Sequence, residues 1–258
     1  MTQRRRPNPL PDMPHLCKLL PLLFGCLAST SFSQEYLVEG KFDVRPSWGR
    51  ASVYLPGKIF PAGVDALEAA GERDAVVFLH GCTGIKNDEI SWAKFLNGLG
   101  YVVVLPDSFA IKGRPLNCNP SSFTTNTGAM DAKLLFRVRA SEVRQARQNL
   151  NRMPNIRKIY LMGFSEGAAV VNLVSRSGLF DGIVSISSHC TGPVNVPKDV
   201  PALTIDFESD PYFRSENFCA VKYRDHDKYK QVVLPGGGHE AMTHKMAEAA
   251  IKEFLSKH

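Results

Sequence analysis

The chain has 258 residues, 44% hydrophobic and 22% charged, with 31 Lys+Arg against 25 Asp+Glu for a net charge of +6. That composition excludes a disordered or fibrous chain, and the length suits one globular domain behind a leader. Residues 1–33 hold four of the basic residues and one acidic residue, so the remainder carries 27 against 24, a net +3. With no basic tract interleaved with aromatics in that remainder, the charge gives no footing for nucleic-acid binding.

In chain order, Arg4-Arg5-Arg6 and Lys18 come first. The apolar stretch Leu19 to Ala28 and the small residues around Ser31-Phe32-Ser33 follow. This reads as a secretory signal peptide over residues 1–33, cleaved to leave 34–258 as a single domain in the periplasm or outside the cell. Met13 is an alternative start, and Leu23-Phe24-Gly25-Cys26 resembles a lipobox that would instead anchor the chain through Cys26. The apolar run is too short to span a bilayer, so no stable membrane span is expected after cleavage. Beyond it, strand-like runs at 50–55, 75–79, 101–105, 158–162, 182–187, 201–206 and 230–234 alternate with helical patterns near 88–98, 129–151, 167–176 and 241–256. That alternation predicts an α/β protein with a mainly parallel central sheet flanked by helices. Residues 107–127 lack periodicity and read as a long loop overhanging the site.

The chemistry centres on Gly163-Phe164-Ser165-Glu166-Gly167, set between the apolar run Ile159-Tyr160-Leu161-Met162 and the small run Ala168-Ala169-Val170. Strand, sharp turn and helix with serine at the apex is the nucleophile elbow of α/β-hydrolases, so Ser165 is the candidate nucleophile. Serine needs a base, and the base needs an acid to orient it; in this fold the acid precedes the histidine. His239, in Gly236-Gly237-Gly238-His239 after a strand, is the candidate base. Asp210, in Glu208-Ser209-Asp210-Pro211 just past a strand, is the candidate acid, with Asp206 and Glu208 as competitors. The oxyanion donors are assigned to the backbone N–H groups of Cys82 and Glu166, with Gly81 as the alternative to Cys82. His80 reads as structural, its ring holding the loop. Arg114 reads either as a grip on a substrate carboxylate or as an anchor to a carboxylate such as Asp107. Trp48 and Trp92 read as core.

Over about residues 45–258 the chain resembles the dienelactone hydrolase branch of the α/β-hydrolase superfamily. The landmarks are His80-Gly81-Cys82-Thr83-Gly84, Leu105-Pro106-Asp107-Ser108-Phe109 with Arg114, the elbow at Ser165, Asp210, and Gly238-His239. The resemblance implies hydrolysis of an ester or lactone, a small-molecule substrate and no cofactor. The departures are Ser165, where the founding members carry cysteine, and Phe207, where many relatives carry glycine. Cys82, Cys118, Cys190 and Cys219 remain after the leader, an even number that suits disulfides in an exported chain. The neighbouring strand-end loops of this fold favour Cys82–Cys118 and Cys190–Cys219. No metal motif is present. The expected function is an exported serine hydrolase acting on a small carboxylic ester or lactone. The alternatives are a peptidase or amidase on the same triad, and a non-catalytic binding protein with the hydrolase fold.

Overall fold

The computed structural model describes residues 37–38, 40–116, 118, 126–175, 179–188, 196–213, 219, 226–242 and 244–258. All of these fall within one unit, Tyr36–His258. The expected leader, with Met13 and Cys26, lies outside the described residues, as does Cys190.

The chain enters through a short hairpin, β1 (Leu37–Val38) and β2 (Phe42–Asp43), and a short helix, α1 (Arg45–Gly49). Then follow β3 (Ser52–Tyr54), a 3₁₀ segment (Val64–Ala70), β4 (Arg73–Leu79), α2 (Asn87–Gly98), β5 (Val102–Leu105), α3 (Asn126–Asn151) and β6 (Ile156–Phe164). The second half holds α4 (Glu166–Val174), β7 (Gly182–Ile186), β8 (Ala202–Ser209), β9 (Tyr229–Gly237) and α5 (Lys245–Lys257). β3 to β9 form a seven-stranded sheet in the order β3-β5-β4-β6-β7-β8-β9. β3 runs antiparallel to β5, and the other pairings are parallel.

The apolar runs become central strands because helices cover both faces, so successive side chains can all be apolar. On β4, Ala75, Val77 and Leu79 pack in one core with Ala140, Val143, Val170 and Val174 of α3 and α4. Val76 and Phe78 pack in the other core with Trp92, Leu96, Ala247 and Phe254 of α2 and α5. Trp92 is buried in that second core and Trp48 packs against the first, as expected.

From β4 the chain passes through α2 to β5 on one side, then crosses through α3 to β6 on the other. Strand order therefore reverses between β4 and β6. In open α/β sheets, ligands bind beyond the carboxyl ends of the strands at such a reversal. The segments leaving these two strands are His80-Gly81-Cys82 and Ser165-Glu166.

Two boundaries differ from expectation for local reasons. α5 starts at Lys245 rather than near 241, because the His244 ring caps it by accepting from the Met246 N–H at 3.3 Å. The long loop opens with a 3₁₀ turn at Ser108–Ala110, capped by Asp107, whose carboxylate accepts from the Phe109 N–H at 3.0 Å. Its far end is shortened because α3 begins at Asn126.

Candidate active site

The elbow is built by what its glycines leave out. A Cβ on Gly163 would lie 2.5 Å from the carbonyl carbon and oxygen of Gly167. A Cβ on Gly167 would meet the His80 carbonyl oxygen at 2.8 Å and the Leu79 carbonyl oxygen closer still. Without side chains at these positions, α4 starts directly against the ends of β4 and β6. Ser165 between them takes φ 54°, ψ −115°, a conformation that costs a residue with a Cβ of the order of 1–3 kcal/mol. It is held by its own N–H, which donates to the Ile186 carbonyl of β7 at 2.9 Å.

Three groups converge at this apex. His239 Nε2 lies 3.0 Å from Ser165 Oγ, and His239 Nδ1 lies 2.7 Å from Asp210 Oδ2. An ionised carboxylate only accepts, so the ring proton sits on Nδ1 and the Nε2 lone pair faces the serine hydroxyl. The Asp210 side chain is 4% exposed and its other oxygen accepts from the Tyr212 N–H at 2.8 Å. The rings of Tyr212, Phe164 and Phe213 surround the imidazole at centroid distances of 4.8, 5.0 and 5.7 Å. Ser187, at the end of β7, donates its hydroxyl to the His239 carbonyl at 2.5 Å. Like Ser165, it holds a positive φ, 51°.

The competing acids are engaged elsewhere. Asp206 is buried in β8, accepting from the Ser188 N–H at 3.2 Å and the Gln231 amide at 3.3 Å. Burial pushes its carboxyl up to about 7, against the hydrogen bonds from Ser188 and Gln231. Glu208 is exposed and accepts from the Gly236 N–H at 3.2 Å.

Of the two oxyanion-donor alternatives, the Gly81 N–H is taken by Glu89 Oε1 at 3.0 Å. The other oxygen of Glu89 accepts from the Lys86 N–H at 2.9 Å, so this carboxylate ties the loop to the start of α2. The Cys82 N–H has no acceptor among the described residues. The Glu166 N–H belongs to the first turn of α4, where backbone donors have no intrahelical partner. His80 holds the loop: its Nδ1–H donates to the Gly81 carbonyl at 2.7 Å, and Nε2 accepts from the Ser108 N–H at 3.2 Å. Burial, with Arg139 beside it, keeps the ring neutral, its pKa well below the usual imidazole range.

The side chains of both candidate donor residues reach the same segment. Cys82 forms a disulfide with Cys118, Cα to Cα 5.3 Å, the pairing expected for the first two cysteines. The other expected pair, Cys190 with Cys219, involves a residue outside the described set. Glu166 Oε1 accepts from Arg114 Nη2 at 2.7 Å. Of the two readings of Arg114, the structure fits the anchor to a carboxylate, with Glu166 in place of Asp107. Its side chain is 2% exposed and spent on Glu166, neither free for a substrate carboxylate nor anchored to Asp107. A guanidinium removed from water needs a paired anion close by, and Glu166 supplies it.

Behind Glu166 lies a buried ionic cluster. Arg139 Nε is 3.7 Å from Glu166 Oε1 and 3.8 Å from Glu142 Oε2. Burial pushes the Glu142 carboxyl up, against the pull of Arg139. Several buried atoms here lack hydrogen-bond partners among the described residues, among them Arg139 Nε, Arg114 Nε and Nη1, and Glu166 Oε2. Each such orphan costs roughly 1–3 kcal/mol, so the cluster is a poor source of stability.

The sequence profile of the dienelactone hydrolase family matches residues 62–211, more than half of the chain. The chain belongs to the dienelactone hydrolase family. It is thereby a hydrolase of the dienelactone hydrolase type. No curated protein matches the chain in sequence. Among solved structures, Est1E from Butyrivibrio proteoclasticus is 15% identical, with a TM-score of 0.54 over 80% of this chain and 93% of that one. TT1662 from Thermus thermophilus is 16% identical, with a TM-score of 0.56 over 80% and 92%. The dienelactone hydrolase-like promiscuous phosphotriesterase P91 from metagenomic libraries is 18% identical, with a TM-score of 0.54 over 72% and 87%. These likenesses are of fold, that of the α/β-hydrolases.

Within the dienelactone hydrolase family, the departure at Phe207 has a local accommodation. Its ring lies where a Cβ on Gly238 would come within 2.9 Å, so Gly238 makes room for it just before His239. Sequence reasoning missed Arg139, Glu142 and Ser187. The first two carried a signal: Leu135, Val138, Arg139, Glu142, Val143 and Ala146 are all buried at helical spacing, which puts a charged pair inside the apolar stripe of α3. Ser187 carried none, since its conformation is set by the strand end it occupies.

Proposed function

We propose that this chain is an exported serine hydrolase that cleaves a small carboxylic ester or lactone through an acyl-enzyme on Ser165, without a cofactor. Ser165 Oγ attacks the substrate carbonyl carbon as His239 Nε2 takes the hydroxyl proton. Asp210 stays ionised and stabilises the imidazolium through Nδ1–H. The carbonyl oxygen becomes an oxyanion and accepts from the N–H groups of Cys82 and Glu166. Collapse breaks the bond to the alcohol oxygen, which receives the proton from Nε2, leaving Ser165 acylated. Water then attacks the acyl carbon, passing its proton to His239. The second collapse releases the acid and returns the proton to Ser165.

The observation that carries this reading is the Asp210–His239–Ser165 relay, with contacts of 2.7 and 3.0 Å beside a strained elbow. Export draws support from the leader-like residues 1–33 and from the Cys82–Cys118 disulfide, which suits an oxidising compartment. Est1E has been seen with ferulic acid bound, which makes aryl-carboxylic esters a sensible part of a first screen beside short alkyl esters and lactones.

The test is labelling of purified 34–258 with a fluorophosphonate probe. The adduct is expected on Ser165, and lost in Ser165→Ala and His239→Ala. Folded protein that takes no label, or ester hydrolysis retained by Ser165→Ala, overturns the proposal. Cleavage of peptides in preference to esters would move the substrate to an amide.

A further inference from the structure

We propose that Arg139 is the positioning residue of the oxyanion hole: a single buried guanidinium that fixes the loop carrying the Cys82 N–H against the helix start carrying the Glu166 N–H. This rests on the reading of Ser165 as nucleophile and of those two amides as donors.

The two donors come from different strand ends, β4 and β6, and catalysis needs both aimed at one point. An oxyanion is stabilised by donors already in place before charge develops, and loss of one typically costs roughly 10²–10³ in turnover. Backbone contacts fix part of this geometry, since Gly167 packs on the Leu79 and His80 carbonyls. Arg139 adds a buried charge contact between the two halves, hydrogen-bonded on the β4 side and ion-paired without a hydrogen bond on the β6 side, beside the route through Arg114 and Cys118. On the β4 side, Nη2 donates to the His80 carbonyl at 3.0 Å and Nη1 reaches His80 Nε2 at 3.1 Å. His80 passes the constraint on through its own Nδ1–H to the Gly81 carbonyl, one residue before Cys82. On the β6 side, Nε lies 3.7 Å from Glu166 Oε1, the same oxygen that Arg114 holds at 2.7 Å.

The residue type follows from the task. A planar guanidinium presents donors in a fixed fork, so one side chain can donate to a carbonyl and a ring nitrogen while its charge faces a carboxylate. Lysine offers a point charge on a flexible stem and cannot hold the same three directions. Placement agrees: Arg139 is fully buried on the core-facing stripe of α3, a position where a leucine or methionine would pack without orphaning polar atoms. The ionic cluster adds little stability, yet it organises the two strand ends on which the proposed chemistry depends.

The experiment compares wild type, Arg139→Met, Arg139→Lys and Glu166→Gln, each confirmed folded by circular dichroism and thermal melting, with p-nitrophenyl butyrate as substrate. Arg139→Met is expected to lower kcat about 10–100-fold, below the loss of a whole donor, with KM within about twofold. The acidic limb of the kcat/KM profile should stay in place, because the His239–Asp210 pair is untouched. Arg139→Lys should fall between wild type and Arg139→Met, and Glu166→Gln should lose about 5–20-fold in kcat, again with KM held. A folded Arg139→Met with kcat within twofold of wild type overturns the proposal. So does a fall in which KM and the acidic limb move along with kcat, the mark of general loosening. If Arg139→Met does not fold, Glu166→Gln decides, and unchanged kcat there overturns the proposal. Fluorophosphonate labelling of wild-type Ser165 separates the two levels: without it the nucleophile reading fails and this proposal falls with it, whereas with it a null result in the variants removes only the role of Arg139.

Discussion

The two halves of the site are built from opposite materials. Around His239 the neighbours are rings, Phe164, Tyr212 and Phe213, with one carboxylate, Asp210, as the only ion in direct contact among the described residues. Around the Cys82 and Glu166 amides lies a mesh of buried ions and a disulfide. In the proposed mechanism the first half moves a proton, so its base needs one fixed tautomer and little competing charge. The second half must hold backbone dipoles still, and backbone has no side chain of its own to be held by. Its anchoring is therefore borrowed from the side chains of Cys82 and Glu166 and from the carbonyls of His80 and Gly81. On this proposal, proton transfer is a side-chain property and charge stabilisation a property of where the main chain is pinned.

Substitutions can break that contrast, beginning where the halves meet. Gly167→Ala would drive a methyl group into the Leu79 and His80 carbonyls at the junction, and the expected outcome is loss of soluble, labelled protein. Expression yield and probe labelling measure it. On the proton-transfer side, Asp210→Asn keeps the shape but favours the wrong His239 tautomer, and kcat should fall about 10⁴-fold with the melting temperature little changed. On the pinned side, Cys118→Ser frees Cys82 while leaving Arg114 and Arg139 in place. Steady-state kinetics should show a drop in kcat of about 10-fold, well short of the roughly 10²–10³ for a missing donor. A drop equal to that of Asp210→Asn would erase the distinction between the halves.

Asp206 gives a smaller effect, read in stability rather than rate. Its folded pKa of about 7 stands above the 3.8 of a free carboxyl. The native state therefore binds this proton more tightly than the unfolded chain, and the contribution is fully present below pH 4. It declines as pH rises towards 7 and is absent above. Asp206→Asn keeps the group neutral at every pH. Relative to wild type it should melt at higher temperature at pH 8, with the difference vanishing near pH 4, as thermal denaturation across that range would report.

Much of this arrangement was legible in the sequence because it lies in short, locally determined patterns. The β/α alternation, the elbow glycines and the Gly-rich turn before His239 each have a meaning that holds without knowing the rest of the fold. The Cys82–Cys118 pairing needed the fold as well, since it depends on which strand ends are neighbours. For Arg114 an anchoring carboxylate was anticipated but not which one, because Glu166 lies 52 residues away and local reasoning offered Asp107 instead. Arg139 was passed over because a long helix rich in arginine is ordinarily a solvated face. Only the periodicity of its burial distinguishes it from Arg137 or Arg144.

Ser187 joins backbone strain to the hold on the proposed base at a single position. Its left-handed backbone costs a residue with a Cβ about 1–3 kcal/mol, a strain that glycine would relieve. The hydroxyl that glycine lacks is the one that fixes the His239 carbonyl. Glycine would also orphan the buried His239 carbonyl and add freedom to the unfolded chain, offsets about as large as the strain. Variants selected only for survival at high temperature should therefore accept either residue. Selection under a demand for product should keep the serine, so a paired screen would reveal whether the hydroxyl serves speed rather than endurance.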